Sequence, residues 1–269
     1  MDTEILSVVL QRWEVVDSLR EGPKDKRALV GDVDCSRSTV DRAVRELESI
    51  GVVEYREGDH GVTPLGETVA SGLEALVETV ERRIELEPFL EWTPEGEFDL
   101  GLEHLSGAEL WVPEPGDPWA MVNRHVAALE AADDVRCVLP LTGLHAYEAV
   151  YEGVVAGGRA ELIVSPDVAR TFRTDPAYAD MTAELATTGR YRLSRYDGSI
   201  PYFVGLLDDI VQIGVDEAGE PRALLETTDP EARRWAEGEI EAYERDATRV
   251  DLSVDLPADP STDSPRTGS

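Results

Sequence analysis

The sequence predicts a protein of the α+β/α/β class, with a small helical N-terminal unit and a larger mixed α/β unit after it. Three observations lead to this prediction: short amphipathic segments end in a hairpin pattern, a long apolar stripe follows, and strands then alternate with helices. A chain of 269 residues fits about two units, at roughly 100–200 residues per domain. A hydrophobic content of 42% is sufficient for packed cores.

The first 66 residues have the pattern of three helices and a hairpin. Helical spacing predicts a helix over residues 4–19, and Asp25 is placed to cap a short second helix through about Val30. Ser36 is placed to cap a third helix with apolar positions at Val40, Val44, Leu47 and Ile50, which Gly51 ends. Residues 52–56 and 62–63 then predict two strands around a tip at 57–61. We therefore expect a winged helix-turn-helix domain over 1–66.

A long helix is predicted to start at Thr63-Pro64-Leu65-Gly66 and to run to about Leu86, within a connecting segment over 67–94. Its apolar positions are spaced 4, 4, 3, 4 and 4 residues apart and are Leu65, Val69, Leu73, Leu76, Val80 and Ile84. Such a near-heptad stripe is typical of a helix that pairs with a second copy, and equally of one that lies on its own domain. Both interpretations, a homodimer seam and an internal packing face, stay open from the sequence.

Residues 95–256 predict a mixed α/β domain. Strands are expected at 108–113, 135–141, 160–164, 191–196, 201–207, 211–215 and 222–226, with helices at 118–132, 144–156, 166–187 and from Asp229 to about Val250. The early alternation indicates parallel pairing and the later strands antiparallel pairing. Residues 257–269 are rich in Pro, Ser, Thr and Asp, and we expect a disordered tail there.

The strongest candidate site is the third helix. With its apolar stripe buried, the polar side chains toward its start are exposed, as in a helix that enters the major groove; they are Ser36, Arg37, Ser38, Thr39, Arg42 and Arg45. Arginine pairs with guanine edges or phosphates, and hydroxyl groups bond to either. The hairpin tip offers Arg56 and His60 for a phosphate or the minor groove, although Glu57 and Asp59 oppose such a contact.

The charge distribution qualifies this picture. The chain has 56 acidic against 25 basic residues and a net charge of −31, and its only lysines are Lys24 and Lys26. Acidic, lysine-poor surfaces stay hydrated in molar salt, so we expect a cytoplasmic protein of an extreme halophile. Residues 36–45 nevertheless contain three arginines and one aspartate. The predicted DNA-contacting helix therefore lies in the least acidic part of an acidic protein.

Several classes of protein are disfavoured by the sequence. The longest stretch without a charged residue, Cys137–Tyr147, is 11 residues long, against about 20 for a membrane span, and the N-terminus has no signal-peptide pattern. The histidines and the two cysteines lack metal-ligand spacing, and phosphate-loop and acyl-nucleophile motifs are absent, so we expect no metal, no cofactor and no enzyme activity.

A small-molecule effector site is predicted in the second unit. Ligands of open α/β sheets bind beyond the carboxyl ends of strands, which favours residues 141–145, including His145, and residues 165–167. Polar contacts are expected from later strands, at Arg195, Tyr196 and Tyr202. The identity of the effector is left open.

Two groups of segments carry a resemblance to known families. Residues 36–40, 47–53 and 63–66 resemble archaeal winged helix-turn-helix regulators. Residues 200–209, 219–225 and 235–237 resemble the effector domain of archaeal methanogenesis-regulator-like transcription factors. The resemblance implies a regulator that binds double-stranded DNA, and it implies no catalytic group. A winged helix that docks protein and an enzyme with a helix-turn-helix appendage are the alternatives.

Overall fold

The computed structural model describes residues 3–94, 96–105 and 107–252. The chain divides into two compact units, the first ending at Arg83 and the second beginning at Ile84. This division lies inside a helix, whereas the sequence predicts a separate connecting segment over 67–94. The predicted tail at 257–269 and the last residues assigned to the effector domain lie outside the described residues.

Over the residues described, the first unit has five helices and one hairpin. The elements are α1 (Thr3–Gln11), α2 (Trp13–Arg20), α3 (Lys26–Asp32), α4 (Arg37–Ser49), β1 (Val53–Arg56), β2 (Asp59–Val62) and α5 (Pro64–Glu85). The predicted second and third helices are confirmed with their caps, since Asp25 accepts a hydrogen bond from the Ala28 amide and Ser36 from the Thr39 amide. The α3–turn–α4 pair followed by β1 and β2 is the winged helix-turn-helix arrangement that the sequence predicts.

The single helix predicted over residues 4–19 is in fact two helices. Arg12 separates α1 from α2 with φ −119° and ψ 22°, outside the helical range. Its amide still donates to the carbonyls of Val8 and Val9, which closes the first helix. Both helices keep their apolar sides in the core, where Val9, Val16 and Leu19 are buried. The periodicity therefore predicted the buried face correctly and missed the break.

The hairpin is tighter than predicted. Arg56 pairs with Asp59, so the tip consists of Glu57 and Gly58. Both have positive φ, at 55° and 108°, as two-residue hairpin turns of right-handed twist require. The second strand begins at Asp59, which places His60 inside the hairpin ladder, opposite Tyr55.

Helix α5 has an apolar face that is buried only in its first half. Gly66, Ala70 and Leu73 are buried in the first unit. Further along the same helix the apolar side chains are exposed; Leu76, Val77, Val80 and Ile84 are 46–63% accessible. The helix thus both packs on its own domain and presents an uncovered stripe.

The second unit contains an eight-stranded mixed sheet. Its helices are α6 (Glu87–Leu90), α7 (Ala120–Ala131), α8 (Leu144–Ala156), α9 (Pro166–Thr174), α10 (Pro176–Thr188) and α11 (Pro230–Asp246), with one 3₁₀ turn at Leu102–Leu105. Its strands are β3 (Glu109–Trp111), β4 (Asp134–Leu139), β5 (Arg159–Val164), β6 (Tyr191–Arg195), β7 (Phe203–Leu207), β8 (Ile210–Glu217), β9 (Glu220–Thr227) and β10 (Thr248–Arg249).

The strand order is β10-β6-β5-β4-β7-β8-β9-β3. Strands β4, β5 and β6 run parallel, and the remaining neighbours pair antiparallel, as the sequence predicts. One face of the sheet packs against α7–α10 around Tyr147 and Phe172. The other face packs against α6 and α11 around Phe89 and Ile213. The unit is therefore a three-layer α/β/α domain.

No helix in the described ranges combines the length and the apolar character that a membrane crossing demands.

Candidate nucleic-acid interface

The candidate interface is the exposed face of α4. The helix begins with a hydroxyl cluster, in which Ser36 Oγ lies 2.9 Å from both Ser38 Oγ and Thr39 Oγ1 and accepts from the Thr39 amide at 3.3 Å. Val40, Ala43, Val44 and Leu47 face the core of the first unit. The opposite side is solvent-exposed at all six predicted positions, Ser36, Arg37, Ser38, Thr39, Arg42 and Arg45. The structure therefore brings the predicted contact residues onto one accessible surface.

The basic side chains that support this helix are neutralised by carboxylates. Arg12 contacts Glu46 at 2.8 Å, and Arg20 contacts Glu67 and Glu74 at 2.9 and 2.5 Å. The hydrogen bonds to these two carboxylates raise the pKa of Arg20 above its ordinary value. Lys24 contacts Glu21 and Asp32 at 2.8 and 2.6 Å. These cations form ion pairs within the first unit. Their charge is therefore largely neutralised and contributes little to binding a partner.

The arginines of α4 differ from these cations. Asp41 is the one carboxylate in residues 36–45, and Lys26 holds it at 2.9 Å, which lowers the pKa of Asp41. Within the described ranges, Arg37, Arg42 and Arg45 form no ion pair at 4.0 Å or less. Their donors are left for an external acceptor. Lys26 thus acts as an internal counter-ion for the acidic residue of the helix.

Arg27 is a candidate that the sequence analysis missed. It lies in the first turn of α3, is exposed, and has no ion pair among the residues described. The first helix of a helix-turn-helix crosses the DNA backbone, so a cation at this position suits a phosphate. The signal in the sequence was its position two residues after the cap of α3.

The structure corrects the prediction for His60. Its side chain is 6% accessible and lies in β2, with Nε2 at 3.9 Å from Glu48 and the ring edge-to-face against Tyr55 at 4.8 Å. Burial lowers the pKa of His60, which favours the neutral ring. A buried neutral imidazole is unsuited to a phosphate contact. Arg56 is exposed at the wing but shares its charge with Glu54 at 2.8 Å.

The predicted effector residues are not brought together. His145 lies at the start of α8, on the rim of a cavity, with Nδ1 at 3.0 Å from Glu148. On the opposite face of the sheet, Tyr202 donates to the Glu97 carbonyl at 2.9 Å and Tyr196 packs on Tyr243. Arg195 is the last residue of β6 and pairs with Asp197 at 2.8 Å. His145 and the two tyrosines lie on opposite faces of the sheet, so the predicted residues do not form one pocket.

Other polar positions have structural explanations. Ser165 caps α9 by accepting from the Val168 amide at 3.3 Å. Both cysteines are free; Cys137 is buried in the sheet, and burial raises the pKa of its thiol to about 12. Among the described residues, His, Cys, Asp and Glu form no group suited to a metal ion.

Two family models match the chain. Residues 1–85 match the HVO_A0261 N-terminal domain, and residues 118–246 match the middle domain of the methanogenesis regulatory protein FilR1. The first match contains the whole helix-turn-helix and wing, and the second contains most of the mixed sheet. The search among curated proteins gives no match.

Solved structures give remote matches. The archaeal chromatin protein TrmBL2, described with a novel mode of DNA binding, is 14% identical over 89% of this chain and 93% of its own, with a TM-score of 0.42. The phospholipase D family member Nuc from Salmonella typhimurium and NucT from Helicobacter pylori are each 16% identical over 53% of this chain and 98% of theirs, with TM-scores of 0.41 and 0.43. Likeness at this level carries no argument about function.

Proposed function

We propose that this chain binds double-stranded DNA with α4 in the major groove. In this proposal it is an archaeal-type winged helix-turn-helix regulator with an HVO_A0261 N-terminal domain and a FilR1 middle domain. The observation that carries the proposal is the set of exposed arginines on α4 that have no ion pair among the described residues, in a protein of net charge −31. These arginines remain unneutralised on one helix face of an acidic protein. A polyanion is therefore the partner that this face suits best.

The hydroxyl cluster at the start of α4 supports a specific rather than a general contact. Arg37, Arg42 and Arg45 offer planar, two-pronged donors that match guanine edges, and Ser38 and Thr39 can donate to or accept from bases. Arg27 on α3 supplies a phosphate contact that sets the register of the helix. The wing contributes Arg56, whereas His60 is excluded from the interface because it is buried.

Selection from fragmented genomic DNA tests this function. Purified full-length protein is incubated with the fragments in molar KCl, and the bound fraction is sequenced. We expect enrichment of a small set of upstream regions that share one motif. Uniform recovery of all fragments would contradict specific regulation, and recovery of none would favour the alternative in which the winged helix docks a protein.

Dimerisation through α5 is the second part of the proposal. Leu76, Val77, Val80 and Ile84 continue the face that buries Ala70 and Leu73, and they are exposed. Their near-heptad spacing suits a second copy of the same helix, because knobs-into-holes packing needs this repeat on both partners. A two-fold pair would present two copies of α4, and the motif selected from genomic DNA would then be an inverted repeat.

The dimer is tested by placing charges in the stripe. Replacing Leu76 and Val80 together by Glu is expected to convert a dimer into a monomer, because four carboxylates would meet in one apolar seam. Light scattering in molar KCl at micromolar concentration measures the mass. Ser71→Glu with Ala75→Glu is the matched control, since both positions are exposed on the far side of α5. A monomeric parent chain, or a dimer that survives the stripe variant, would contradict the seam.

A further inference from the structure

The second unit contains a cavity that neither the proposed DNA contact nor the dimer seam uses. It has a volume of about 360 Å³ and lies between α7, α8 and the sheet, where β4 ends. Its wall is mainly apolar, with Met121, Leu129, Leu139, Val150, Phe172 and Phe203 among the lining residues. A dry cavity of roughly 150 Å³ lined by such side chains holds benzene. This one has room for a two-ring molecule.

One polar side chain of the lining is fixed by a relay through the sheet. Arg124 donates to the Glu226 carboxylate through Nε at 2.9 Å, and Gln212 Nε2 donates to the same carboxylate at 2.8 Å. The carboxylate can only accept, so the amide of Gln212 is oriented with its Oε1 toward His125 Nδ1, 2.7 Å away. His125 Nδ1 therefore carries the proton and donates to Gln212.

The relay determines what His125 offers to the cavity. A neutral imidazole protonated on Nδ1 has Nε2 as its acceptor, and among the described residues nothing donates to that atom. Burial lowers the pKa of His125, which maintains the neutral ring. The lining thus includes His125 Nε2 as a hydrogen-bond acceptor. The hydrogen bonds that run through Gln212, Glu226 and Arg124 hold the ring of His125 in this tautomer.

The mouth of the cavity selects by charge. Asp216, Glu220 and His145 are among the lining residues; Glu220 lies 3.4 Å from Arg222, and His145 Nδ1 lies 3.0 Å from Glu148. Of the two lining carboxylates, that of Asp216 forms no ion pair within the described ranges, and it repels an anionic ligand such as a fatty acid or an aryl acetate. Trp119, which is 60% accessible, adds an aromatic surface at the entrance.

We propose that this cavity binds a neutral, apolar molecule of about two fused rings that donates one hydrogen bond to His125 Nε2. The apolar wall supplies most of the affinity, His125 selects ligands with a suitably placed N–H or O–H, and the acidic mouth excludes anions. The test of this site does not depend on DNA binding, because ligand binding is measured on the protein alone.

Three indoles that share one ring system test the proposal by calorimetry on the full chain in molar KCl. Indole has the ring donor, 1-methylindole lacks it, and indole-3-acetate adds a negative charge. We expect indole to bind at least about fivefold more tightly than 1-methylindole, the value of one net hydrogen bond, and indole-3-acetate to bind most weakly. Equal affinities for the first two, or no binding of any probe at millimolar concentration, would overturn the proposal.

Two variants locate the site. His125→Phe keeps the ring volume and removes the acceptor, so indole and 1-methylindole should bind alike. Ala146→Phe fills the cavity from α8 without touching the relay, and it should abolish binding of both. His145→Asn is the matched control at the rim and should preserve the preference for indole. Persistence of that preference in His125→Phe, or of binding in Ala146→Phe, would show that the probes bind elsewhere.

Discussion

Replacing Arg42 and Arg45 together by Glu is expected to weaken binding to the selected DNA by roughly a hundredfold or more. Each arginine contact to a base edge is worth about 1–3 kcal/mol, and each 1.4 kcal/mol is about tenfold in affinity. The reversal also adds two carboxylates that face phosphates. Both side chains are exposed and lack ion pairs within the described ranges, so their replacement breaks no ion pair there. Fluorescence anisotropy with a labelled fragment measures the change.

The control for this experiment carries the same charge change in the second unit. Arg159 and Arg249 are exposed in the second unit, and neither has an ion pair among the described residues. Arg159→Glu with Arg249→Glu lowers the net charge by the same four units as the α4 variant. We expect it to bind DNA within about twofold of the parent chain, because neither side chain belongs to α4 and molar salt screens surface charges within a few ångström. Equal loss in both variants would mean that net charge, and not α4, governs binding.

Salt dependence separates specific contacts from general attraction. In molar KCl the release of counterions contributes little, because each ion enters a concentrated solution. Base-edge and shape contacts must then supply most of the affinity. The acidity of the chain is consistent with such conditions, since repulsion between its carboxylates and DNA is screened within a few ångström.

Local periodicity was sufficient to predict most of the fold. Helix α8 runs over Leu144–Ala156, as predicted, and the caps at Asp25 and Ser36 were recognised from residue type alone. Strand β10 was missed because it has two residues and exists only through its pairing with β6. The break at Arg12 was missed because the apolar positions on both sides keep one helical period.

The sequence was sufficient to predict which residues of the candidate nucleic-acid interface are exposed. It was not sufficient to predict which of their charges are paired. The apolar stripe of α4 placed the arginines on the outer face, and that requires only helical spacing. The choice of Lys26 as partner of Asp41, which leaves those arginines unpaired, depends on how α3 packs against α4. His60 is buried because its backbone pairs with Lys24 across the unit, a contact that no local pattern indicates. The relay from His125 to Glu226 similarly joins α7, β8 and β9.

Gly66→Ala is expected to destabilise the first unit severely, because α5 starts in direct contact with the hairpin. An added Cβ at Gly66 would overlap the carbonyl oxygen of Val52 and would lie 2.7 Å from Val62 Cγ1. The clash is with backbone, which cannot rotate away. Thr63 holds the contact in place, since its Oγ1 donates to the Gly51 carbonyl at 2.6 Å and accepts from the Gly66 amide at 3.0 Å. We expect a loss of about 3 kcal/mol or more.

Gly72→Ala makes the same chemical change six residues later in α5 and should have the opposite effect. A Cβ at Gly72 meets no atom within 4 Å, and alanine is favoured over glycine inside a helix by about 1 kcal/mol. Thermal unfolding of the two variants, followed by circular dichroism, should give midpoints on either side of the parent value. Native-state hydrogen exchange in the first unit separates its stability from that of the mixed sheet. Similar shifts in the same direction would contradict the close approach of α5 to β1 and β2, on which the orientation of the wing beside α4 depends.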